Sequence, residues 1–234
     1  MPESQHSKLA KFLEANGQKD LAFAVTPDKD HKFDLALTLN RVEDAFNIAE
    51  EQQNADKWRK VGDIALMSGL FSLAERCFEK SADYNSQLLF YSSCGDLEAL
   101  ERVAVNAEAN GKYNVAFQAS YLIGNADRCV QILIKSKRIA EAAFFARAYC
   151  PSQISQVVKA WDETLKAKKL PFEPENITSP SHPQSQIVEM ALGIEKQVKA
   201  MLTSDRRSAE HYKQALQDYF RDLSIPASVD EEEQ

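Results

Sequence analysis

Five short turns recur along the chain, and each is followed at a fixed distance by a small or apolar residue. They are Leu39-Asn40-Arg41-Val42, Ser68-Gly69-Leu70-Phe71, Cys94-Gly95-Asp96-Leu97, Ile123-Gly124-Asn125-Ala126 and Ser136-Lys137-Arg138-Ile139. Five residues past the turn centres stand Ala45, Ala74, Leu100, Cys129 and Ala142. Helix–turn–helix content with a period of roughly 30 residues is the mark of a stacked α-solenoid. The spacing therefore predicts an all-α fold of TPR-like helical hairpins. Such folds present long surfaces to partners and seldom enclose a catalytic site.

Composition narrows the function classes. Among 234 residues there are only 7 glycines and 8 prolines, which suits a helical protein. The formal net charge of -7 argues against nucleic-acid binding, which calls for a basic stripe. No run of 18 apolar residues occurs, so no membrane span is expected, and the start Met1-Pro2-Glu3-Ser4-Gln5-His6 lacks the apolar core of a secretion signal. The cysteines, Cys77, Cys94, Cys129 and Cys150, are widely spaced and lie in apolar helical contexts. They read as buried free thiols of a reducing compartment and not as a metal site, which would want closely paired ligands.

The pattern predicts individual helices. Lys8 to Ala15 forms the first, ended by Gly17. Thr26 is placed to cap the next, with Pro27 at its first position and Asp28 and Asp30 favouring its dipole. Its apolar residues Phe33, Leu35, Ala36, Leu37 and Leu39 send it inside the stack. Arg41 to Gln53 returns with Val42, Ala45, Phe46 and Ala49 inward. Asp56 is the expected cap of the helix carrying Trp58, Val61, Ile64, Ala65 and Leu66, where Gly62 and Ala65 allow close approach. Leu70, Ala74, Cys77 and Phe78 make the next return face. Gln87 to Cys94 is followed by a partner helix carrying Leu97, Leu100, Val103 and Ala104, then Gly111 breaks the chain. Ala140 to Tyr149 is stopped by Pro151, and Ser152 is the expected cap of the helix with Ile154, Val157, Val158 and Trp161.

The composition shifts at Lys169. Pro171, Pro174, Pro180 and Pro183 remove backbone donors at four places, so residues 169–184 read as a linker. Two helical patterns follow, Ser185 to Leu202 and Asp205 to Leu223, with Ser204 and Asp205 at the turn. The expected organisation is thus a solenoid over 1–168, a proline-rich linker over 169–184, a helical hairpin over 185–223 and an acidic tail over 224–234.

Several stretches taken together resemble the α-solenoid of the β′ subunits of the COPI vesicle coat. They are Phe12-Leu13-Glu14 with Gly17, Leu21-Ala22-Phe23-Ala24-Val25-Thr26, and Asp30-His31-Lys32-Phe33-Asp34-Leu35-Ala36-Leu37. Lys57-Trp58-Arg59-Lys60-Val61-Gly62-Asp63-Ile64-Ala65-Leu66 and Tyr84-Asn85-Ser86-Gln87-Leu88-Leu89-Phe90-Tyr91-Ser92-Ser93 continue the series. Gly111-Lys112-Tyr113-Asn114-Val115-Ala116-Phe117 and Glu141-Ala142-Ala143-Phe144-Phe145-Ala146-Arg147-Ala148-Tyr149 complete it. The resemblance covers Phe12 to Lys166 and is expected to fade beyond. It implies a cytoplasmic scaffold, peripheral on Golgi membranes and COPI vesicles. Its implied partners are the coatomer α subunit and other COPI subunits, in Golgi-to-ER and intra-Golgi transport. The family's propellers read dilysine cargo tails; no WD dipeptide occurs here, so direct dilysine recognition is not expected of this chain. The alternative is a TPR-like peptide- or adaptor-binding module outside the coat.

No residues are arranged for catalysis. His6, His31, His182 and His211 are scattered and read as surface polar residues, and the glycines match no phosphate-binding loop. No enzyme activity, cofactor or metal is expected. Trp58 and Trp161 read as core. The candidate partner contacts are Arg147 and the cluster Lys166, Lys168 and Lys169.

Overall fold

The structure, a computed structural model, describes residues 3–169, 171 and 185–204. All regular structure among the described residues is helical. The helices are α1 (Glu3–Ala15), α2 (Lys19–Val25), α3 (Lys29–Thr38), α4 (Val42–Gln52), α5 (Ala55–Met67), α6 (Phe71–Lys80) and α7 (Tyr84–Cys94). They continue as α8 (Leu97–Ala109), α9 (Tyr113–Ile123), α10 (Ala126–Lys135), α11 (Ile139–Tyr149), α12 (Ile154–Ala167) and α13 (Ser185–Ser204), with a 3₁₀ turn at Pro151–Gln153. The chain divides into two compact units, Met1–Ile132 and Leu133–Gln234.

One backbone device makes nearly every turn. Gly17, Asn40, Gln53, Gly69, Ala82, Gly95, Gly111, Gly124 and Lys137 all have positive φ, between 48° and 85°. At Gly69, the glycine N–H reaches Leu66 O at 3.1 Å and the Leu70 N–H reaches back to Ala65 O at 2.8 Å. The same two bonds recur at all nine positions, as at Asn40 (Arg41 N to Ala36 O, 2.8 Å) and Ala82 (Asp83 N to Phe78 O, 3.1 Å). This Schellman closure satisfies carbonyls that a helix end would otherwise leave bare. The residue just after the left-handed one begins the next helix. Asn54, Asp83, Asp96 and Asn125 there cap it with side-chain oxygens, accepting from Lys57 N, Ser86 N, Ala99 N and Arg128 N at 2.9–3.3 Å. Five residues past the nine left-handed positions stand Ala22, Ala45, Trp58, Ala74, Gln87, Leu100, Ala116, Cys129 and Ala142, and every one is buried.

In the first unit these turns stack consecutive hairpins. Phe33, Leu35, Phe46, Val61 and Phe78 form one core cluster, and Tyr91, Leu100, Val103, Ala116 and Ile132 a second. Each buried large side chain contributes ~1.5–3 kcal/mol. Gly62 is where α5 meets α6 most closely: a Cβ there would lie 2.7 Å from Phe78 Cε1 and 3.1 Å from Cys77 Cβ. Polar ties join equivalent places in successive repeats. Lys57 pairs with Asp30, Ser68 with Asn40, Lys80 with Glu50, Asn110 with Tyr84 and Arg128 with Glu101, at separations of 26 to 30 residues. The period read from the sequence is thus the period of the contacts.

In the second unit, α11 and α12 pack through Ala142, Ala143, Ala146, Val157, Val158 and Trp161. Phe144 meets the Trp161 ring edge-on at 6.0 Å. Helix α13 packs on the 3₁₀ turn.

The structure corrects several local expectations. Helix α1 begins at Glu3, not Lys8. Asp28 caps α3 by accepting from the Asp30 and His31 amides, while Thr26 ends the unanticipated α2 and Pro27 lies between the two. Asn54 caps α5 instead of Asp56, because it is the residue that follows the left-handed Gln53. Leu70 is the N-cap residue just before α6 and is 43% exposed, so it is not part of the buried return face. Ser152 lies in the 3₁₀ turn and caps no α-helix. Trp58 and Trp161 are core residues, as the spacing predicted. All of the linker read over 169–184 except residues 169 and 171, the second hairpin helix over 205–223 and the acidic tail lie outside the described residues.

The turns set two expected outcomes. Gly95, at φ 69°, should lose about 1 kcal/mol of unfolding free energy on Gly95→Ala, whereas Ala82→Gly, at φ 50°, should gain up to about 1 kcal/mol, both by urea titration. Gly62→Ala should destabilise by about 1–3 kcal/mol in the same assay despite alanine's better helix propensity, because the Phe78 ring is buried and has nowhere to move.

Candidate interaction surface

An open groove of about 730 Å³ lies between α4 and α6 in the first unit. Phe46, Leu70, Phe71 and Leu73 supply its apolar lining, and Glu43, Asn47 and Arg76 its polar groups. The turn at Gly69 produces it: the chain enters α6 at Phe71, so that ring stands at the first helical position and remains 59% exposed. Phe71 lies 6.5 Å from Phe90, and Met67, the last residue of α5, is 88% exposed. The Arg76 guanidinium sits 4.9 Å from the centre of the Phe46 ring, a cation–π contact that orients the charge along the groove. A second depression of about 390 Å³, lined by Asn40, Arg41, Val42, Glu43, Asp44 and Leu70, shares two of these residues. Together the two depressions set the apolar Val42, Phe46, Leu70, Phe71 and Leu73 beside the charged Arg41, Glu43, Asp44 and Arg76, a mixture suited to a protein-binding patch.

His31, Cys77, Cys129 and Tyr91 are engaged structurally. His31 is half-buried, bonded through Nε2 to Glu14 at 2.8 Å and through Nδ1 to Thr26 at 3.2 Å. It links α1, α2 and α3 and is not the free surface histidine the sequence suggested. Burial pushes the Cys77 thiol up to about 11 and the Cys129 thiol up to about 12, so neither supplies a thiolate at neutral pH. Cys94 is exposed, against the expectation that all four thiols are buried. Burial also raises the Tyr91 phenol well above its usual range, and it is held protonated against the Glu75 and Glu79 carboxylates at 3.0 and 3.1 Å.

The proposed partner contacts fall on two elements of the second unit. Arg147 is exposed in the last turn of α11. Lys166 closes α12 and pairs with Asp162, one turn earlier, while Lys168 and Lys169 are exposed just beyond, Lys169 with φ 53°. The lysines complement the C-terminal end of the α12 dipole.

Sequence reading passed over one polar centre here. Glu195 of α13 is buried and accepts from the Ser152 amide at 2.8 Å and the Ser152 hydroxyl at 2.6 Å, with the Lys199 ammonium at 2.7 Å. Burial opposes its ionisation, but the bonds from Lys199 and Ser152 outweigh burial and hold its carboxyl below the usual carboxylate range. No local pattern marks a glutamate for a partner 43 residues away, so this pairing had no sequence signal.

Comparison with known proteins settles the lineage. Residues 1–162 match the family described as the COPA/B TPR domain. The chain belongs to that family. It is 37% identical to coatomer subunit beta'-3 of Arabidopsis thaliana over 97% of this chain and 26% of the relative. It is 41% identical to coatomer subunit beta'-2 of the same plant, and 40% identical to coatomer subunit beta' of Rattus norvegicus, each over 70% of this chain and 18% of the relative. The chain thus spans about a quarter or less of the length of these relatives. The resemblance read from the motifs around Trp58, Tyr91 and Tyr113 is borne out. The family match ends at residue 162, close to the expected end near Lys166, and two of these relatives align over 70% of the chain, while coatomer subunit beta'-3 aligns over 97%. No helix among the described residues is long and apolar enough to cross a membrane.

The Glu195 centre predicts an acid response of α13. A carboxyl whose folded pKa is lowered stabilises the fold above its unfolded pKa of about 4.3, and that stabilisation is lost as pH falls through the folded value. Amide exchange across α13, corrected for its intrinsic pH dependence, should therefore accelerate relative to α12 as pH drops from about 5 to about 3. Glu195→Gln should show faster exchange at neutral pH and lose most of that pH dependence.

Proposed function

We propose that this chain is a non-catalytic helical scaffold of the COPI coat, which binds other coat subunits, the coatomer α subunit among them, through faces of its stacked hairpins. The observation that carries this reading is the likeness to coatomer β′ subunits across the helical stack, joined to an open apolar face at the α4–α6 groove. The role is in Golgi-to-ER and intra-Golgi transport. Attachment is cytoplasmic and peripheral on Golgi membranes and COPI vesicles, through the assembled coat. Arg147, Lys166, Lys168 and Lys169 are secondary contacts that add charge complementarity at the second unit.

The groove is the primary contact because its exposed aromatic and aliphatic side chains offer the anchors that dominate interface energetics. The charged rim, Glu43 and Arg76, sets register more than affinity. Titration calorimetry against a purified coatomer α-subunit solenoid should give saturable binding in the micromolar range or tighter. Phe71→Glu should weaken it at least about ten-fold, equivalent to about 1.4 kcal/mol, with unchanged circular dichroism since the ring is exposed. The quadruple change of Arg147, Lys166, Lys168 and Lys169 to Ala should weaken it less and flatten its salt dependence. Absence of binding by the unaltered chain at tens of micromolar would overturn the proposal.

A further inference from the structure

The charged side chains in and around the α4–α6 groove fall into two kinds. Several are answered within the chain: Arg41 pairs with Asp20 at 2.7 Å, Lys80 with Glu50 at 2.8 Å, and Glu75 and Glu79 both lie against the Tyr91 hydroxyl. Glu43 and Arg76, the charged residues that line the groove itself, make no ion pair or hydrogen bond among the described residues, and both are exposed. The Arg76 guanidinium lies over the buried Phe46 ring, 4.9 Å from its centre. That contact holds the cation in the groove but gives its N–H groups no acceptor, so a planar fork of donors stands beside an apolar wall.

The walls of the groove are helix stripes. Glu43 and Phe46 stand three residues apart on α4, and Leu73 and Arg76 three apart on α6, after Leu70 and Phe71 at its start. Along α6, Arg76 lies about 4.5 Å beyond Leu73 and about 7.5 Å beyond Phe71. An incoming α-helix carries the same repeat, since its residues three and four apart rise by about 4.5–6 Å and share one face. Apolar side chains of such a stripe, resting on Phe71 and Leu73, bring the residue three or four places further along to Arg76. A carboxylate fits there, because the guanidinium fork matches its two oxygens in a bidentate pair. Glu43, beside Leu70 in both depressions, calls for a base at the other end of the stripe. It also argues against a polyanion. An anionic membrane or a phosphorylated segment wants several cations together, whereas the groove offers one, with Glu43 in it and Asp44 at its edge.

We infer that the α4–α6 groove receives a helix of a partner protein whose contact stripe is apolar in the middle, acidic at the end that meets Arg76 and basic at the end that meets Glu43. The inference deepens the scaffold reading and rests on it for the groove being a contact surface. It gives Phe71 and Leu73 the role of anchors, and Arg76 the role of selecting which partner helix is accepted and in which register.

Synthetic helices test it on the full-length chain. Each is a hydrocarbon-stapled peptide, held helical because so short a segment does not fold alone, with Lys, Leu, Leu and a variable residue at i, i+3, i+4 and i+7. The variable residue is Glu, Gln, Lys or phosphoserine. By fluorescence anisotropy at low ionic strength, the Glu peptide should bind at least about three-fold tighter than the Gln peptide, and the Lys peptide should be weakest, as a partly exposed ion pair requires. Arg76→Gln should level this order and Arg76→Glu should invert it, while Phe71→Glu should weaken every peptide; circular dichroism checks folding. The ranking on the unaltered chain decides even where one variant is perturbed. Equal affinities for the Glu, Gln and Lys peptides, an order that Arg76→Glu leaves unchanged, or no binding at about 1 mM would overturn the inference. A phosphoserine peptide more than about ten-fold tighter than the Glu peptide would overturn the carboxylate in favour of a phosphorylated partner. The coat reading fails separately: a chain that ranks the peptides as expected yet ignores the coatomer α-subunit solenoid keeps the groove's preference and loses that partner.

Discussion

Everything in the first unit hangs on a pair of backbone hydrogen bonds at the end of each helix. When a left-handed residue lets its own N–H and the next one turn back onto the helix just finished, the chain reverses within a residue or two. There is then no loop to adjust. The residue after the turn is already the start of the next helix, and the fifth residue after the turn points inward. Ala22, Ala45, Ala74, Ala116 and Ala142 at that place bring neighbouring helices close, while Trp58, Gln87, Leu100 and Cys129 fill wider spaces. Gln87 shows that the rule concerns position and not polarity: it is buried because of where it stands, and its amide is satisfied by donating to Phe78 O at 2.7 Å. The geometry of the turn selects the burial pattern, and the core follows.

That dependence explains what could be read from sequence. Gly69, Gly95 and Gly124 declare a left-handed turn by residue type, and Asn40 and Lys137 were found from the spacing to Ala45 and Ala142. Gln53 and Ala82 adopt the same conformation at φ 48° and 50° with side chains that seldom do, so nothing local announced them. The error over the α5 cap has the same origin: missing the turn at Gln53 shifts the helix start from Asn54 to Asp56. The core was legible because burial at fixed offsets is periodic. The groove was not, since Leu70 reads as an ordinary apolar residue of a return face and Phe71 only as the end of a turn. Both stand at the very start of α6 and line the open depressions beside α4. Glu195 illustrates the other limit. Its role is fixed by tertiary docking onto Ser152, and a lone glutamate within an amphipathic helix carries no mark of that.

The polar contacts of the first unit reinforce register more than they add stability. Lys57–Asp30, Lys80–Glu50 and Arg128–Glu101 each involve at least one partner with substantial solvent access, where an ion pair contributes only about 0–1 kcal/mol. Their separations of 27 to 30 residues tie equivalent positions of adjoining repeats, so a hairpin that slid along its neighbour would break them together. Aromatic faces support the same function: Lys57 lies over Phe33 and Lys80 over Trp58 at 4.8 and 5.2 Å. In a repeat array, where each unit touches mainly its neighbours, such periodic ties keep the packing angle uniform.

Uniform packing bears on which kind of binding the chain suits. A repeat module that captures extended peptides presents polar and aromatic side chains along an inner groove, repeat after repeat. Here Met67, Leu70 and Phe71 form one exposed apolar group at a single turn, while Phe12, Leu89 and Val105 stand exposed singly within their helices. The interior-facing positions are occupied by alanines and filled cores. A surface concentrated at a tip engages another folded body more readily than an extended strand, because a rigid partner can bring several anchors to one place without the entropy cost of ordering a peptide. A rigid helical array with localised anchors is what a lattice requires of its parts, since assembly fixes the angle between subunits as well as their contact. The same two backbone bonds that end each helix hold the angle between successive hairpins, so a change at a turn such as Gly95 would alter the packing of repeats as well as stability.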